Sequence, residues 1–600
     1  MAEPIDIETL ISSSESNNNN ELEDFVDELI ESTDDNIENV IRKLRKQYQM
    51  NPSKQEIHSI YNKKFSNRKI SPKMRRWMIK KPMRSNSGVL VVTIVLAPNK
   101  FSCKYDCAYC PQETDLEGNP TQPRSYLSNE PAMLRALESD FDIKGQFNSR
   151  IRSYKNTGNI VEHQTSKIEV IFSGGTWESY PITYREQVMC ELYWAANTIE
   201  DERESKTLEE EIAINETTQY RIIGFTLETR PDNITKETIQ QYRRWGVTRI
   251  QIGVQHYDDS ILKKVHRKCY TKDTIYAIRL LKQAGLKVVV HLMPDLPSSS
   301  PTQDKWMFDE AINNPDLQFD DIKIYPTAVV KTYDTKHIVK SKIMDMYNDG
   351  SFMPYSEKNL QDLIDVCLYY KTNVNPWTRI QRLVRDIPST DIAAGYSGIS
   401  NLRQVIHTQM KKKNLKCNCI RCMEIGEKEH DNLQPILVVR KYHASQGIEY
   451  HISVEAHNML LFQKLYYWLI LCWNFLCYLI TEKHYYWSGD LTTYIGLYGF
   501  LRLRFDPNPG GDFIPEINGC ALIREVHVYG TSLGIGTSLG IEANGSQHRG
   551  FGKQLMITAE TLAKEAGYTK IAVIAGVGTR EYYKNKCGYR LQGTYMVKDI

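Results

Sequence analysis

The sequence predicts an α/β chain: a partial parallel barrel of βα units, then a smaller α+β unit, both preceded by a charged extension. Three observations predict it. Between Gly88 and about Gln404, apolar strand-like runs (GVLVVTIVL, KIEVIFSGG, RIIGFTLETR, TRIQIGVQ, KVVVHLMPDLP, DIKIYPTAVV) alternate with helix-length segments, as expected for parallel strands joined by crossovers. Each run ends in polar residues or glycine at its carboxyl end, where a parallel barrel keeps its active site. From about Ile436 a second set begins, with ALIREVHVYG, KIAVIAGVG and a helix from Gly552 to about Gly567. The 600 residues suffice for more than one hydrophobic core. With 41% hydrophobic and 25% charged residues and a net charge of +2, wholesale disorder, collagen and a disulfide mini-scaffold are excluded.

The elements follow in chain order. Residues 1–40 carry 13 Asp/Glu and no Lys/Arg, and include serine and asparagine runs, which predicts a disordered acidic tail. Residues 41–87 are a basic arm. From Ile41 to Arg84 there are 15 Lys/Arg against one acid, Glu56, with Tyr48, Tyr61, Phe65 and Trp77 interleaved. That mixture suits a nucleic-acid backbone; a solvated helical face is the plainer reading. The charge reversal lets the tail fold back on the arm as an electrostatic shield. Residues 88–391 are the barrel, 392–435 a cysteine-bearing connector, and 436–600 the second unit, which holds an apolar insert at 457–490. Within the insert, Leu465 to Ile480 is a run of 16 uncharged residues, short of the ~20 that span a bilayer. A buried or partner-facing insertion is favoured over a membrane anchor. The hexapeptide GTSLGI occurs twice in tandem from Gly530 to Ile541 and reads as a lengthened loop. The start, MAEPIDIETL, has no secretion-signal pattern, and the 13 cysteines are odd in number. Both point to a reducing, cytoplasmic setting in which clustered cysteines are ligands first.

Three constellations carry chemistry. Cys103-x3-Cys107-x2-Cys110 follows the first barrel run. Three thiolates can hold three irons of a 4Fe-4S cube and leave the fourth open to substrate or cofactor. Zinc is the competing reading, but it needs a fourth ligand, and Asp106 is the nearest. Gln547-His548-Arg549-Gly550-Phe551-Gly552 opens a helix with glycines that let backbone amides approach a pyrophosphate. Cys417-x-Cys419-x2-Cys422 suits a structural zinc between the two units, with His407, His430 or His443 as the fourth ligand.

The CxxxCxxC spacing, Tyr109 before its last cysteine, and Ser173-Gly174-Gly175-Thr176 at the end of the second run resemble the radical S-adenosylmethionine (SAM) enzymes. That resemblance implies a cluster on Cys103, Cys107 and Cys110, an adenine near Tyr109, and SAM held by Gly174, Gly175 and Thr176. LETRPD (Leu227 to Asp232), RIQIGVQ (Arg249 to Gln255), HLMPDLP (His291 to Pro297), KIYPT (Lys323 to Thr327), VRDIP (Val384 to Pro388), REVHVYG (Arg524 to Gly530) and the segment Gly578 to Lys598 resemble the catalytic subunit of Elongator. The likeness runs from about Gly88 to the C-terminus, outside the insert and the duplicated loop. It implies a radical SAM partial barrel followed by a GNAT-like acetyltransferase domain, acting as a tRNA uridine C5 carboxymethyltransferase. In that family chemistry a SAM-derived radical takes hydrogen from the acetyl-coenzyme A methyl. The carbon radical adds to C5 of the wobble uridine, and thioester hydrolysis leaves a carboxymethyl group. Acetyl-coenzyme A is implied against Glu525, Val526, His527 and Val528, with Gly550, Phe551, Gly552, Lys553, Tyr583 and, from the barrel, Lys167. Tyr583 is the implied donor to the leaving thiolate. The implied partners are tRNA, gripped by the basic arm, an external electron donor and Elongator-type accessory subunits. Two tracts depart from the family: Pro111-Gln112-Glu113 replaces Pro-Gly-Gly, and Arg267-Lys268-Cys269 replaces Arg-Gly-His. Two other readings stand beside this one: a protein lysine acetyltransferase with a structural cluster and Glu525 or Glu581 as base, and a non-catalytic tRNA-binding scaffold.

Overall fold

The computed structural model describes residues 21–32, 37–65, 68, 74, 77, 88–157, 159–160, 165–332, 337–396, 399, 401–425, 433–457, 469, 494–529 and 550–600. The first sheet has seven parallel strands in chain order: β1 (Val89–Val95), β2 (Ser166–Ser173), β3 (Tyr220–Thr229), β4 (Val247–Gln255), β5 (Lys287–Leu292), β6 (Asp321–Ile324) and β7 (Arg379–Arg382). Each strand pairs with its sequence neighbour, as helical crossovers on one face require. Side chains alternate accordingly. On β2, Ile168, Val170 and Phe172 are buried among the helices, while Glu169 and Ile171 line a central cavity. On β4, Ile250, Ile252 and Val254 face the helices, and Arg249, Gln251, Gly253 and Gln255 face the cavity. The predicted half-barrel is therefore the observed one.

Its boundary lies beyond residue 391. Strand Ile392–Gly395 pairs with Ala328–Val330, and Leu402, Ile406 and Met410 of helix Leu402–Lys412 join the barrel core. The connector thus begins later than the cysteine pattern suggested, because apolar residues ahead of it still have a core to enter.

The second sheet runs β8 (Gln434–Ala444), β9 (Gly447–His457), β10 (Tyr494–Phe505), β11 (Cys520–Val528), β12 (Lys570–Val573), then β14 (Tyr595–Asp599) and β13 (Arg590–Gln592) at the edge. All pairs are antiparallel except β11 with β12. That parallel pairing ends at Ile523 and Val573, although β11 continues to Val528. The strands part there and leave a slot beside Arg524–Val528.

A fully buried ion network joins the two units. Lys282 and Asp320 of the barrel meet Glu449, Arg502, Arg504 and Arg524 of the second sheet. Arg524 Nη1 lies 2.9 Å from both Asp320 Oδ1 and Glu449 Oε1. Burial and the neighbouring arginines lower Lys282 to about 8, against the pull of Glu449 and Asp320.

The amino-terminal segment departs from expectation. Residues 21–31 are helical, and Phe25, Val26 and Leu29 share a core with Ile41, Leu44, Ile57, Tyr61 and Met74. Acidic composition predicted disorder, but apolar residues at helical spacing supply a buried face. The same helix engages the basic arm. Glu23 lies 3.4 Å from Lys64, Glu31 3.3 Å from Arg68, Asp27 also pairs with Arg68, and Glu28 accepts from Tyr48 at 2.6 Å. Residues 1–20, the duplicated GTSLGI loop, and the insert apart from His457 and Leu469 lie outside the described residues. Among the described residues no helix is long and apolar enough to cross a membrane.

Candidate active site

One cavity of about 1970 Å³ contains most of the predicted chemistry. At the carboxyl ends of the barrel strands it is lined by Cys103, Cys107, Tyr109, Cys110, Gly175 and Thr176, and at the other end by Glu525, Val526, His527 and Tyr583. Residues separated by more than 400 positions thus face one volume.

The cysteine loop leaves β1 and is pinned by backbone bonds from Ala108 N to Val265 O (2.9 Å) and Cys110 N to Cys107 O (3.0 Å). Cys107 is buried; Cys103 and Cys110 are half-buried. Among the described residues, Cys417, Cys419 and Cys422 form the one His/Cys/Asp/Glu group whose ligand atoms all lie within 4.8 Å. Cys103, Cys107 and Cys110 form no such group, and all three line the cavity. Burial and Cys107 push the Cys110 thiol up to about 11. Cationic groups stand beside Cys107. Arg230 Nη1 and Arg267 Nη1 each lie 3.8 Å from Cys107 Sγ. The three cysteines, open cavity and cationic surroundings fit a 4Fe-4S cluster.

Gly174 and Gly175 turn the end of β2 at φ +150° and +80°. A Cβ at Gly174 would lie 2.7 Å from the Tyr180 hydroxyl, and one at Gly175 3.3 Å from Arg124 O, so a side chain is crowded at the first and strained by the left-handed backbone at the second. The departure after Cys110 is absorbed structurally. Gln112–Thr114 pairs with Ile338–Lys340, and the buried Glu113 carboxylate accepts from Thr121 Oγ1 (2.7 Å), Ser128 N (2.9 Å) and Ser128 Oγ (3.2 Å).

At the other end, Gly550 in the left-handed region (φ +78°) caps helix Phe551–Glu565. Its first amides, at Phe551, Gly552 and Lys553, precede the first intrahelical donor and suit an anion. A Cβ built at Gly552 would meet Val528 Cγ2 and the Tyr582 hydroxyl at 3.7 Å. Strand β11, this helix and the tyrosine pair therefore converge. Gln547, His548 and Arg549 lie outside the described residues. Burial raises the Tyr583 hydroxyl well above its usual range and keeps it a proton donor. Lys167 is not in the cavity lining. It sits at the amino end of β2, in register with Val89 and Arg221, and burial lowers its pKa.

Glu525 is not a free base. Burial pushes its carboxyl up, but Lys287 at 3.2 Å, Arg502 at 3.0 Å and Arg249 at 3.8 Å outweigh burial and hold it well below the usual carboxylate range. Burial lowers His527 to about 4, and its Nε2 has no hydrogen-bond partner among the described residues. Between the two ends, Lys323 is lowered by burial to about 8 and bonds Gln251, which also meets His291 Nε2 at 3.0 Å. Sequence reading gave no site role to Arg230, Arg249, Arg267, Lys287 or Lys323, although all but Lys287 fall in the motif tracts. The available signal was polar residues at every second position of otherwise apolar strands, as in Arg249, Gln251, Gly253 and Gln255.

The third constellation holds together. Cys417 and Cys419 are buried, Cys422 is half-buried, and Lys371 Nζ approaches Cys422 Sγ at 3.6 Å. Burial lowers His407, on helix Leu402–Lys412, while the Cys422 thiolate opposes that shift. His443 is exposed on β8, and His430 lies outside the described residues.

Residues 101–303 match the radical SAM superfamily and residues 319–412 its C-terminal domain. The chain is 37% identical over 530 residues to a tRNA uridine(34) acetyltransferase of Methanocaldococcus infernus, covering 87% of both chains. It is 32% identical to the human Elongator complex protein 3 over 541 residues, 88% of this chain and 86% of the human one. The solved structure of M. infernus Elp3, lacking residues 1–46 of that protein, superimposes with a TM-score of 0.64 at 33% identity, covering 86% of this chain and all of the other.

Proposed function

The chain belongs to the family of Elongator complex protein 3 and the tRNA uridine(34) acetyltransferases, and on that premise we propose that it modifies the wobble uridine of tRNA, installing a carboxymethyl group at C5. The observation that carries this reading is the single cavity lined both by Cys103, Cys107 and Cys110 and by Glu525, His527 and Tyr583. A reaction using SAM radical chemistry and an acetyl donor needs both sites to face one volume closed to bulk water. A 4Fe-4S cluster on the three cysteines, with SAM, supplies the radical chemistry.

The remaining work falls to side chains of this chain. Helix Phe551–Glu565 binds the coenzyme A pyrophosphate at its first amides, and β11 aligns the pantetheine arm along the slot left where it parts from β12. The protonated Tyr583 hydroxyl donates to the leaving thiolate. Arg382, Arg385, Arg403 and Lys411, all in the cavity lining, take anticodon phosphates, while the exposed Arg42, Lys43, Arg45 and Lys46 of helix Ile37–Gln47 hold the backbone without reading sequence. Cys417, Cys419 and Cys422 hold a structural zinc. An external donor supplies the electron, and accessory subunits bind elsewhere on the chain. The ion-paired state of Glu525 favours this reading over lysine acetylation, which needs a base to free an amine.

The test is anaerobic reconstitution with iron and sulfide, then incubation with dithionite, SAM, acetyl-coenzyme A and tRNA, scored as carboxymethyluridine by nucleoside mass spectrometry. Product is expected from wild type and absent from Cys107→Ala. Tyr583→Phe is expected to slow turnover on the order of 100-fold, a usual share for a proton donor. Product formed without SAM, or no product from a fully loaded enzyme, would defeat the proposal.

A further inference from the structure

We propose that Arg230 and Arg267 form a cationic clamp on Cys107 that sets how readily a cluster on Cys103, Cys107 and Cys110 accepts its electron. The inference rests on radical SAM membership and not on the tRNA reading. Cys107 is the most enclosed of the three cysteines, and two guanidiniums reach it from different parts of the barrel. Arg230 follows β3 and Arg267 follows β4, and each places Nη1 3.8 Å from the sulfur. Both are buried, at 2% and 5% exposure.

Each guanidinium is anchored so that Nη1 stays on the sulfur. Arg230 donates from Nε to Asp232 Oδ1 at 2.9 Å and from Nη2 to Arg267 O at 2.9 Å, and lies over the Tyr105 ring at 3.6 Å. Arg267 Nη2 donates to Gly253 O. Tyr105 closes the arrangement by donating to Asp232 Oδ2 at 2.9 Å. The planar fork of arginine makes this possible, since one side holds the protein while the other faces the ligand.

Charge balance points the same way. The clamp has two buried cations, and Asp232 pairs directly with one of them, Arg230. Buried charge without a counter-charge is costly, and cluster-bound thiolates supply the negative charge the clamp lacks. On reduction one electron passes from an external low-potential donor to the irons, and no bond to the protein breaks. The cluster gains one negative charge beside two fixed cations and their N–H donors. Both stabilise the reduced form more than the oxidised one and move the potential upward.

The full-length protein, reconstituted anaerobically with iron and sulfide, is titrated with dithionite while the reduced cluster is followed by electron paramagnetic resonance, without SAM or tRNA. The Arg267→Gln midpoint is expected to shift downward. Arg267→Lys, which keeps the charge but loses the fork, is expected to shift less. Asp232→Asn removes the counter-charge and is expected to shift the midpoint upward. Unchanged midpoints in Arg267→Gln and Asp232→Asn, at wild-type iron content, overturn the proposal. That holds also if Arg267→Gln loses affinity for SAM, since the pair then serves the SAM carboxylate instead. If Arg267→Gln takes up no iron, Asp232→Asn decides alone: an upward shift upholds the clamp, and no shift overturns it.

Discussion

Replacing Asp320 by Asn removes one charge from the network that joins the barrel to the second sheet. Asp320 receives Arg524 Nη2 at 2.6 Å and Val288 N at 2.8 Å, with Arg502 Nε at 3.7 Å and Lys282 Nζ at 3.8 Å. Counted out to the partners of Glu525 the network is balanced: Lys282, Arg502, Arg504, Arg524, Lys287 and Arg249 stand against Asp320, Glu449, Asp506, Glu525, Glu169 and Asp321. An amide in place of the carboxylate leaves one buried cation uncompensated and turns an N–H toward an arginine donor. Breaking such a buried pair from one side costs about 3–5 kcal/mol. Lys282→Met in the same chain restores balance by removing the cation that already holds its proton least firmly. The double variant is therefore expected to recover about 2 kcal/mol relative to the sum of the singles. Urea unfolding followed by far-ultraviolet circular dichroism and tryptophan fluorescence measures both. Because the network spans the two units, Asp320→Asn is also expected to split their unfolding transitions. A cost below about 1 kcal/mol for Asp320→Asn, or strict additivity in the double variant, would refute the reasoning.

Three further outcomes are expected. Replacing Glu23, Asp27 and Glu31 by Gln, Asn and Gln keeps Phe25, Val26 and Leu29 but frees Lys64 and Arg68. Filter binding is expected to show tighter tRNA affinity with a steeper salt dependence, and an affinity equal to wild type would show that the acidic helix shields nothing. Burial holds His291, His451 and His527 below their usual range, so the unfolded chain binds protons that the folded one does not. Stability is present above about pH 6.5 and lost as pH falls toward the folded values, by about 4 kcal/mol for the three together between pH 7.5 and 5.5; a flat thermal midpoint over that range would contradict it. If Cys417, Cys419 and Cys422 hold the proposed zinc, elemental analysis is expected to find zinc in the wild-type chain and none in Cys419→Ala, with iron uptake at Cys103, Cys107 and Cys110 intact; equal zinc in both would overturn that assignment.

Much of this site was legible in advance because its signals are local. The CxxxCxxC spacing places three ligands in one loop, the glycines of Ser173-Gly174-Gly175-Thr176 mark a turn that a side chain would crowd or strain, and KCNCIRC brings three sulfurs together over six positions. Composition misled at residues 21–31, where acidic charge outweighed a sparse apolar stripe that only its partners at Ile41, Leu44 and Ile57 make meaningful. It also left Glu525 open as a base, since nothing near it in sequence reveals Lys287, Arg249 or Arg502. Lys167 remains a residue implied by family likeness, outside the cavity lining.

The sequence by itself determined the alternation of strands and helices in the half-barrel and the grouping of two cysteine triplets, Cys103, Cys107 and Cys110 in one and Cys417, Cys419 and Cys422 in the other. Strand periodicity and ligand spacing act over a few residues, where the covalent chain already restricts geometry. The tertiary structure alone decided that the Cys103, Cys107 and Cys110 loop shares one cavity with Glu525, His527 and Tyr583, that Glu525 is tied up in ion pairs, and that two arginines close on Cys107. Those facts depend on contacts between residues as far apart as Cys107 and Arg267, or Lys287 and Glu525. Packing against a common core brings them together, and burial then sets the charge each can carry.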